Sequence, residues 1–195
     1  MNYWKHSLLS RKKFGGLPDD YFAIHRFLDS SKLYFYDMRH RALLHHTFGI
    51  ALCTRRFGET LVNADGRTVL VRDVAAEHCR EDLMGIVPTL NNWFRNVDAR
   101  LAESLPPIDV ADPGLQEFLL EPFLMSGLKA SLVITHSNFG VHLARELFGS
   151  TAALELAQQL DGTGVNELLP LIRLQERWQY TPDLKQLKDI EHEQA

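Results

Sequence analysis

Three segments that are predicted to be helical each place a histidine one helical turn from a carboxylate. These sets are His25 with Asp29, Asp37 with His40, and His78 with Glu81 and Asp82. Side chains three or four positions apart lie on one face of a helix. The spacing therefore predicts three acid–imidazole units, which would suit a metal centre or an acid–base centre.

The metal interpretation depends on three helices packing together. Histidines and carboxylates would then converge in the core of a helical bundle, as they do in helical di-iron and di-manganese proteins. Mixed imidazole and carboxylate ligands suit Zn, Mn or Fe. The predicted metal ligands are His25, Asp37, His40, His78 and Asp82. Because the chain has no HExxH or CxxC motif, a structural network of hydrogen-bonded histidines stays open as the alternative.

The residues around these ligands supply the remaining candidate chemistry. His45 and Glu81 are the spare imidazole and carboxylate that would move a proton. Arg39 and Arg41 flank His40, and they would hold the negative charge of a phosphate-bearing small molecule or nucleotide. The alternative is that these arginines only pair with acidic residues or remain solvated.

Helices must position all of these residues. Proline and acids at Pro18-Asp19-Asp20 predict a helix that ends near Asp29, and a third helix is expected from about Val74 to Met84. Between them, a long second helix is expected from Ser30 or Ser31 through Arg56. At 100° per residue, Asp37 and His40 fall inside the apolar stripe of that second helix.

One β-hairpin interrupts the helices at about residues 59–73. Two short runs that alternate apolar and polar residues flank Ala64-Asp65-Gly66. Asp-Gly readily adopts the positive φ angles of a primed turn, so this is a strong hairpin signal. The predicted fold class is therefore mainly α, with a helical bundle-like N-terminal domain that carries one hairpin and a helical C-terminal domain.

Proline and glycine mark a linker between the two predicted domains. Pro106-Pro107 and Asp112-Pro113-Gly114 punctuate the chain there, which predicts domains at 1–104 and 109–195. The second domain is expected to contain helices at roughly 115–127, 137–148, 151–161, 164–179 and 182–193. No internal repeat is recognised.

Composition limits the classes of protein that fit. The chain has 195 residues, 45% of them apolar, which is enough for a real core. Two cysteines without a CxxC motif favour a reducing, cytoplasmic location. The sequence contains no apolar run long enough to predict a membrane helix. The net charge of −4 argues against a nucleic-acid-binding protein, although the first half is basic and the second acidic.

A series of motifs in the first half resembles a known family. The motifs are Lys13-Phe14-Gly15-Gly16-x-Pro18-x-Asp20-Tyr21, Ile24-His25, Asp37-x-Arg39-His40-Arg41-Ala42, His45-His46-x-x-Gly49-Ile50, Asn63-x-Asp65-Gly66, Glu77-His78 and Glu81-Asp82. They are similar to those of a small family of uncharacterised bacterial and phage proteins over about residues 5–98. The resemblance implies no established activity, but it draws attention to the histidine and arginine cluster.

Two functions follow from these observations, and whether the chain is an enzyme stays open. The leading hypothesis is a metal-dependent hydrolase acting on a phosphoester-type substrate, in which the metal activates water. The alternative is a non-catalytic binding module, such as a phage or host-interaction protein with a protein partner, whose histidines only tie helices together.

Overall fold

A computed structural model describes residues 2–35, 37–97, 105, 107–161 and 170–179. These residues form a mainly helical fold with a single antiparallel hairpin, which confirms the predicted fold class. The chain divides into two compact units, Met1–Pro88 with Leu174–Ala195, and Thr89–Arg173. Within the described ranges, no helix is long and apolar enough to cross a membrane.

The first unit contains most of the helices that carry histidine. Its elements are α1 Tyr3–Phe14, α2 Asp19–Asp29, α3 Arg41–Leu44, α4 Thr47–Phe57, β1 Thr60–Val62, β2 Thr68–Leu70 and α5 Val71–Asp82, with 3-10 turns at Ser30–Leu33, Met38–His40 and Arg177–Gln179. The second unit contains α6 Leu90–Phe94, α7 Pro113–Ser126, a 3-10 segment at Lys129–Ile134, α8 Asn138–Phe148 and α9 Ser150–Leu160.

Helix α1 is an element that apolar periodicity does not reveal. Asn2 caps it by accepting a hydrogen bond from the backbone N–H of Lys5 at 2.9 Å. The buried residues of this helix are His6, Ser7 and Ser10. Because its inward face is polar, the hydrophobic pattern that predicts an amphipathic helix is missing.

The prediction of one helix from residue 30 to 56 is wrong. The backbone is extended at Asp37, whose side chain accepts from the N–H of Arg39 at 2.7 Å and begins a new turn. The helix breaks again at His45 and His46, before α4 begins. Gly49 allows this second break, because a Cβ at that position would lie 1.8 Å from the carbonyl oxygen of Leu44.

The hairpin pairs Thr60 with Leu70 and Val62 with Thr68. The hairpin, expected to reach about residue 73, ends at Leu70, because α5 begins directly after it. The predicted hairpin position is confirmed. The primed turn is not, because only Gly66 of the Asp65-Gly66 pair has a positive φ, at +75°, and the Gly66 N–H instead donates to the Asn63 carbonyl at 2.8 Å.

Hydrogen bonds fasten the hairpin to the loop between α1 and α2. The Asn63 side-chain amide donates to the Phe14 carbonyl at 3.1 Å and to the Tyr21 hydroxyl at 3.0 Å. The Gly16 N–H donates to Asp65 Oδ2 at 2.8 Å. The glycine, asparagine and aspartate motifs of the first half thus join two elements rather than form a site.

The second unit repeats a segment of the first, although the sequence alone showed no repeat. Residues 129–149 contain the same sequence of elements as residues 38–58: a turn, a bend and an 11-residue helix that ends at a glycine. The φ angle of that glycine is +94° at Gly149 and +89° at Gly58. A Cβ at Gly140 would lie 1.9 Å from the Thr135 carbonyl oxygen, as at Gly49. Identical residues at this offset are His45/His136, Phe48/Phe139, Gly49/Gly140, Leu52/Leu143, Phe57/Phe148 and Gly58/Gly149.

Parts of the predicted domain division fall outside the described residues. The predicted helix at 182–193, residue 106 of the predicted linker and residues 164–169 of the predicted helix at 164–179 lie there. Helices α7, α8 and α9 match the three predicted helices between 115 and 161 closely. The boundary at 104–109 stays a prediction.

Candidate metal centre

Histidines and carboxylates meet inside the first unit. Helix α1 contributes His6, α2 contributes His25 and Asp29, the end of α3 contributes His45, and α5 contributes His78, Glu81 and Asp82. All seven are at most 3% exposed. Buried charged and polar groups are stable only when they find partners, so their mutual contacts decide what the cluster can do.

Four of these residues form the grouping that best suits a metal, here called the Asp/His set: Asp29, His45, His78 and Asp82. One ligand atom from each lies within 4.8 Å of the others. His45 Nε2 is 3.0 Å from His78 Nε2 and 3.3 Å from Asp82 Oδ2. Asp29 Oδ1 is 3.6 Å from His78 Nε2 and 3.7 Å from His45 Nε2.

The protonation states of the Asp/His set are those that a metal requires. Burial lowers the pKa of His78 to about 4 and that of His45 well below its usual range. Burial opposes ionisation of the two aspartates, but hydrogen bonds with His78 and His45 outweigh it and lower the pKa of Asp29 and of Asp82. At neutral pH the set therefore presents neutral imidazoles and charged carboxylates, the states that bind metals.

His78 also belongs to a second grouping, the three-histidine set of His6, His25 and His78. The His6 ring stacks on His78 with centroids 3.8 Å apart. His6, however, faces two carboxylates: its Nδ1 pairs with Glu81 and its Nε2 lies 3.5 Å from Asp82 Oδ1. Although burial lowers the pKa of His6, its hydrogen bonds to Asp82 and Glu81 raise it to about 9. A metal at the three-histidine set would have to displace this proton, so the Asp/His set is the better candidate.

A chain of hydrogen bonds orients His78 toward the Asp/His set. His78 Nδ1 is 3.0 Å from His25 Nδ1, and His25 Nε2 is 2.9 Å from the Ser10 hydroxyl oxygen. If His78 uses Nε2 as a ligand, its Nδ1–H donates to His25, whose Nε2–H then donates to Ser10. Such outer hydrogen bonds fix the tautomer and the ring orientation of metal-binding histidines.

Arg41 and His40 lie beside the Asp/His set. The Arg41 guanidinium is buried, and its Nη2 is 3.5 Å from Asp82 Oδ2. The His40 Nδ1–H donates to the Asp37 carbonyl at 2.6 Å, and its ring contacts His45 edge-on at 5.4 Å between centroids. Burial lowers the pKa of His40 to about 4, so the ring is neutral at physiological pH.

The structure brings most of the predicted site residues together, but not Asp37 or Arg39. His25, His40, His45, His78, Glu81, Asp82 and Arg41 all belong to the buried cluster or its edge. Asp37 and Arg39 instead pair with each other, with side chains 37% and 32% exposed. The expectation that Asp37 faces the core assumed a continuous helix, and the break at Asp37 removes that assumption.

Sequence reasoning missed His6 and did not assign Asp29 as a ligand. The spacing of four between His6 and Ser10 on α1 was available, but without an apolar pattern α1 was not identified as a helix. His46, in contrast to His6, belongs to a motif that drew attention in the sequence but lies outside the cluster. It accepts from the Gly49 N–H at 3.2 Å and donates from Nε2 to the Ala42 carbonyl at 3.1 Å, so it caps α4 instead of joining the cluster.

The fold and the cluster define a mainly helical protein with a buried carboxylate–imidazole centre. Residues 1–101 match the family described as "Domain of unknown function (DUF6915)", and the chain belongs to this family. Every residue of the cluster lies within the matched region. Neither the curated proteins nor the solved structures contain a significant match to the chain.

Proposed function

We propose that the chain is a metal-dependent hydrolase that acts on a phosphoester-type substrate. The observation that supports this proposal is the Asp/His set, in which two carboxylates and two neutral imidazoles converge within 4.8 Å. Mixed oxygen and nitrogen ligands of this kind suit Zn, Mn or Fe. The substrate class is a phosphate-bearing small molecule or nucleotide, because cationic side chains adjoin the set.

The proposed chemistry assigns a role to each group. His45 and His78 would bind the metal through Nε2, and Asp29 and Asp82 through one oxygen each. A metal held by these four ligands would supply Lewis-acid activation of a water molecule. His45 is thereby a ligand rather than a base, and Glu81 is left as the spare carboxylate.

The alternative is a non-catalytic module that uses the cluster only for structure. The charges favour this alternative, because the cluster is balanced without a metal. Each of its carboxylates, Asp29, Glu81 and Asp82, lies next to a basic side chain: Lys32, His6, or His6 and Arg41. Lys32 Nζ lies 2.7 Å from Asp29 Oδ1. Such a module would act through a protein partner, as a phage or host-interaction protein does.

Metal analysis of the protein purified without a histidine tag separates the two functions. We expect about one Zn, Mn or Fe per chain, and we expect His78→Ala to lose it while Asp37→Ala, a change outside the cluster, retains it. Hydrolysis of p-nitrophenyl phosphate or its diester should appear only in metal-loaded protein. A wild type that binds none of the three metals at micromolar concentrations, and whose melting temperature ignores them, contradicts the proposal.

A cytoplasmic location is part of the proposal. Both cysteines, Cys53 and Cys79, are free and buried. Two free thiols suit a reducing compartment. Fractionation of cells expressing the untagged protein tests this location.

A further inference from the structure

One ion pair connects the buried Asp/His set with the surface of the protein. Helix α2 ends at Asp29, and the 3-10 turn Ser30–Leu33 follows it at the surface, where Leu33 is 82% exposed. Lys32 belongs to this turn, and its Nζ is 2.7 Å from Asp29 Oδ1. The side chain of Lys32 is 33% exposed, whereas that of Asp29 is 1% exposed. The pair therefore has one partner in the cluster and one partner that reaches water.

The other side chains that are described above as contacts of the Asp/His set have no such access to water. His6, His25, His40 and Arg41 are each at most 4% exposed, and moving any of them would open the packed interior. Lysine differs from them, because its ammonium is strongly hydrated and ends a flexible four-carbon stem. Among these contacts, the Lys32 side chain is therefore the one that can move aside most easily for an ion from solvent.

Lys32 and a metal would compete for the same atom. Asp29 Oδ1 is the oxygen that lies 3.6 Å from His78 Nε2 and 3.7 Å from His45 Nε2, and Lys32 pairs with that same oxygen. A metal in the set would lie directly beside the ammonium, and like charges repel strongly where water is largely excluded. The ammonium therefore has to leave Asp29 when a metal enters.

We propose that Lys32 is a displaceable gate of the Asp/His set. In the metal-free protein Lys32 neutralises Asp29 and closes the set on the side of the Ser30–Leu33 turn. When a metal enters, the Lys32 side chain moves into solvent and Asp29 Oδ1 becomes a ligand. The gate controls both the affinity and the rate of metal uptake. It rests on the proposed function for the metal itself, but Lys32 is neither a ligand nor a participant in the hydrolysis.

Zinc uptake by the full-length, untagged protein tests the gate after treatment with chelator. Lys32→Met keeps the apolar stem and removes the ammonium, whereas Lys32→Arg keeps the charge. Lys13→Met is the matched control, because it breaks another lysine–carboxylate pair of the first unit, with Glu77, which is not a member of the Asp/His set. Competition with a chromophoric chelator measures the affinity for Zn²⁺, and stopped-flow mixing measures the rate of uptake.

The expected gain is specific to the loss of the ammonium. Lys32→Met should bind Zn²⁺ about tenfold more tightly than wild type and take it up faster, because no internal cation has to be displaced. Lys32→Arg should gain no affinity, and Lys13→Met should match wild type. In chelator, Lys32→Met should also melt below wild type, because Asp29 loses its counter-ion. A purely structural lysine would give this lower melting temperature without the gain in affinity.

Circular dichroism identifies which variants fold, and Lys32→Gln takes the place of Lys32→Met if that variant does not. An affinity for Zn²⁺ in the folded variant that equals or falls below that of wild type overturns the gate and leaves the metal centre standing. An equal gain in Lys13→Met also overturns it, because the effect would then be one of net charge. Binding of Zn²⁺ by Lys32→Met but not by wild type supports the gate, although wild type then fails the test of the proposed function. If neither protein binds Zn, Mn or Fe, the gate and the proposed function are refuted together.

Discussion

Replacement of Asp82 by asparagine tests the electrostatic account of the cluster most directly. The Asp82 carboxylate is fully buried, and it lies 3.3 Å from His45 Nε2, 3.5 Å from His6 Nε2 and 3.5 Å from Arg41 Nη2. Burial alone would raise its pKa, but hydrogen bonds with His45 and His6 hold it well below the usual range. Asp82 is therefore ionised in the folded protein.

The change keeps the shape of the side chain and removes its charge. His6 and Arg41 would then remain as buried cations with one anionic partner fewer, and breaking a buried ion pair typically costs about 3–5 kcal/mol. For a unit of about 110 residues, each kcal/mol lowers Tm by roughly 4 °C. We expect Asp82→Asn to melt at least about 12 °C below wild type in the presence of chelator.

The assay is thermal denaturation followed by circular dichroism, with chelator and then with Zn, Mn or Fe. A metal present at 100 times its Kd should stabilise wild type by about 2.7 kcal/mol, and it should leave Asp82→Asn unchanged. Asp37→Asn is the control, because its half-exposed pair with Arg39 should contribute about 1 kcal/mol or less. If Asp82→Asn in chelator melts within roughly two or three degrees of wild type, the reasoning is refuted.

Four further predictions concern individual residues. In metal-free protein, the free energy of unfolding should fall by about 3 kcal/mol from pH 6.5 to 9, because folded His6 holds its proton to a pKa of about 9 and the unfolded chain releases it near 6.5; a slope that survives in His6→Gln contradicts this. Gly16→Ala should cost about 2–4 kcal/mol in urea denaturation, since φ is +72° and a Cβ would lie 2.3 Å from a carboxylate oxygen. Gly66→Ala, at φ +75° with open space, should cost only about 1 kcal/mol, and equal losses would rule out the clash. His46→Ala should cost about 0.5–2 kcal/mol as a lost helix cap but keep full metal binding, and metal loss would place it in the centre. His25→Ala should weaken metal binding about 10–100-fold by competition titration, and unchanged affinity would exclude its role in orienting the ligand.

Local signals predicted the hairpin and α5 well. Asp65-Gly66 defines a turn by backbone conformation alone, so no tertiary information was needed. The helix α5 likewise shows its polar face through His78 and Asp82, one turn apart. These features depend on neighbours in sequence, which is why one chain suffices to predict them.

The composition of the cluster depends on tertiary packing and was only partly predictable. His6 was missed because the inward face of α1 is polar, and Asp37 was included because the break before Met38 has no strong marker. Apolar residues continue on both sides of His45 and His46, so the apolar periodicity of the sequence gives no sign that the helix ends there. Only the contact between Gly49 and the Leu44 carbonyl shows that the chain turns there.

The repeated segment of the second unit provides a natural control for the histidine cluster. The next helix along the chain, reached through the hairpin in the first copy and directly in the second, has four buried residues at matching spacing. These are Val74, Ala75, His78 and Asp82 among the seven buried residues of α5, and Ala152, Ala153, Leu156 and Leu160 in α9. In the second copy leucines occupy the positions that the first copy gives to an imidazole and a carboxylate.

This comparison bears on why the polar residues exist at all. The segment can evidently be built around ordinary hydrocarbon packing, which is often as stable as a buried ionic network or more so. If the two segments descend from one ancestral unit by duplication, one lineage dispensed with the polar centre and still folds. Folding alone would then not require His78 and Asp82 in this helix, which agrees with the proposed metal centre.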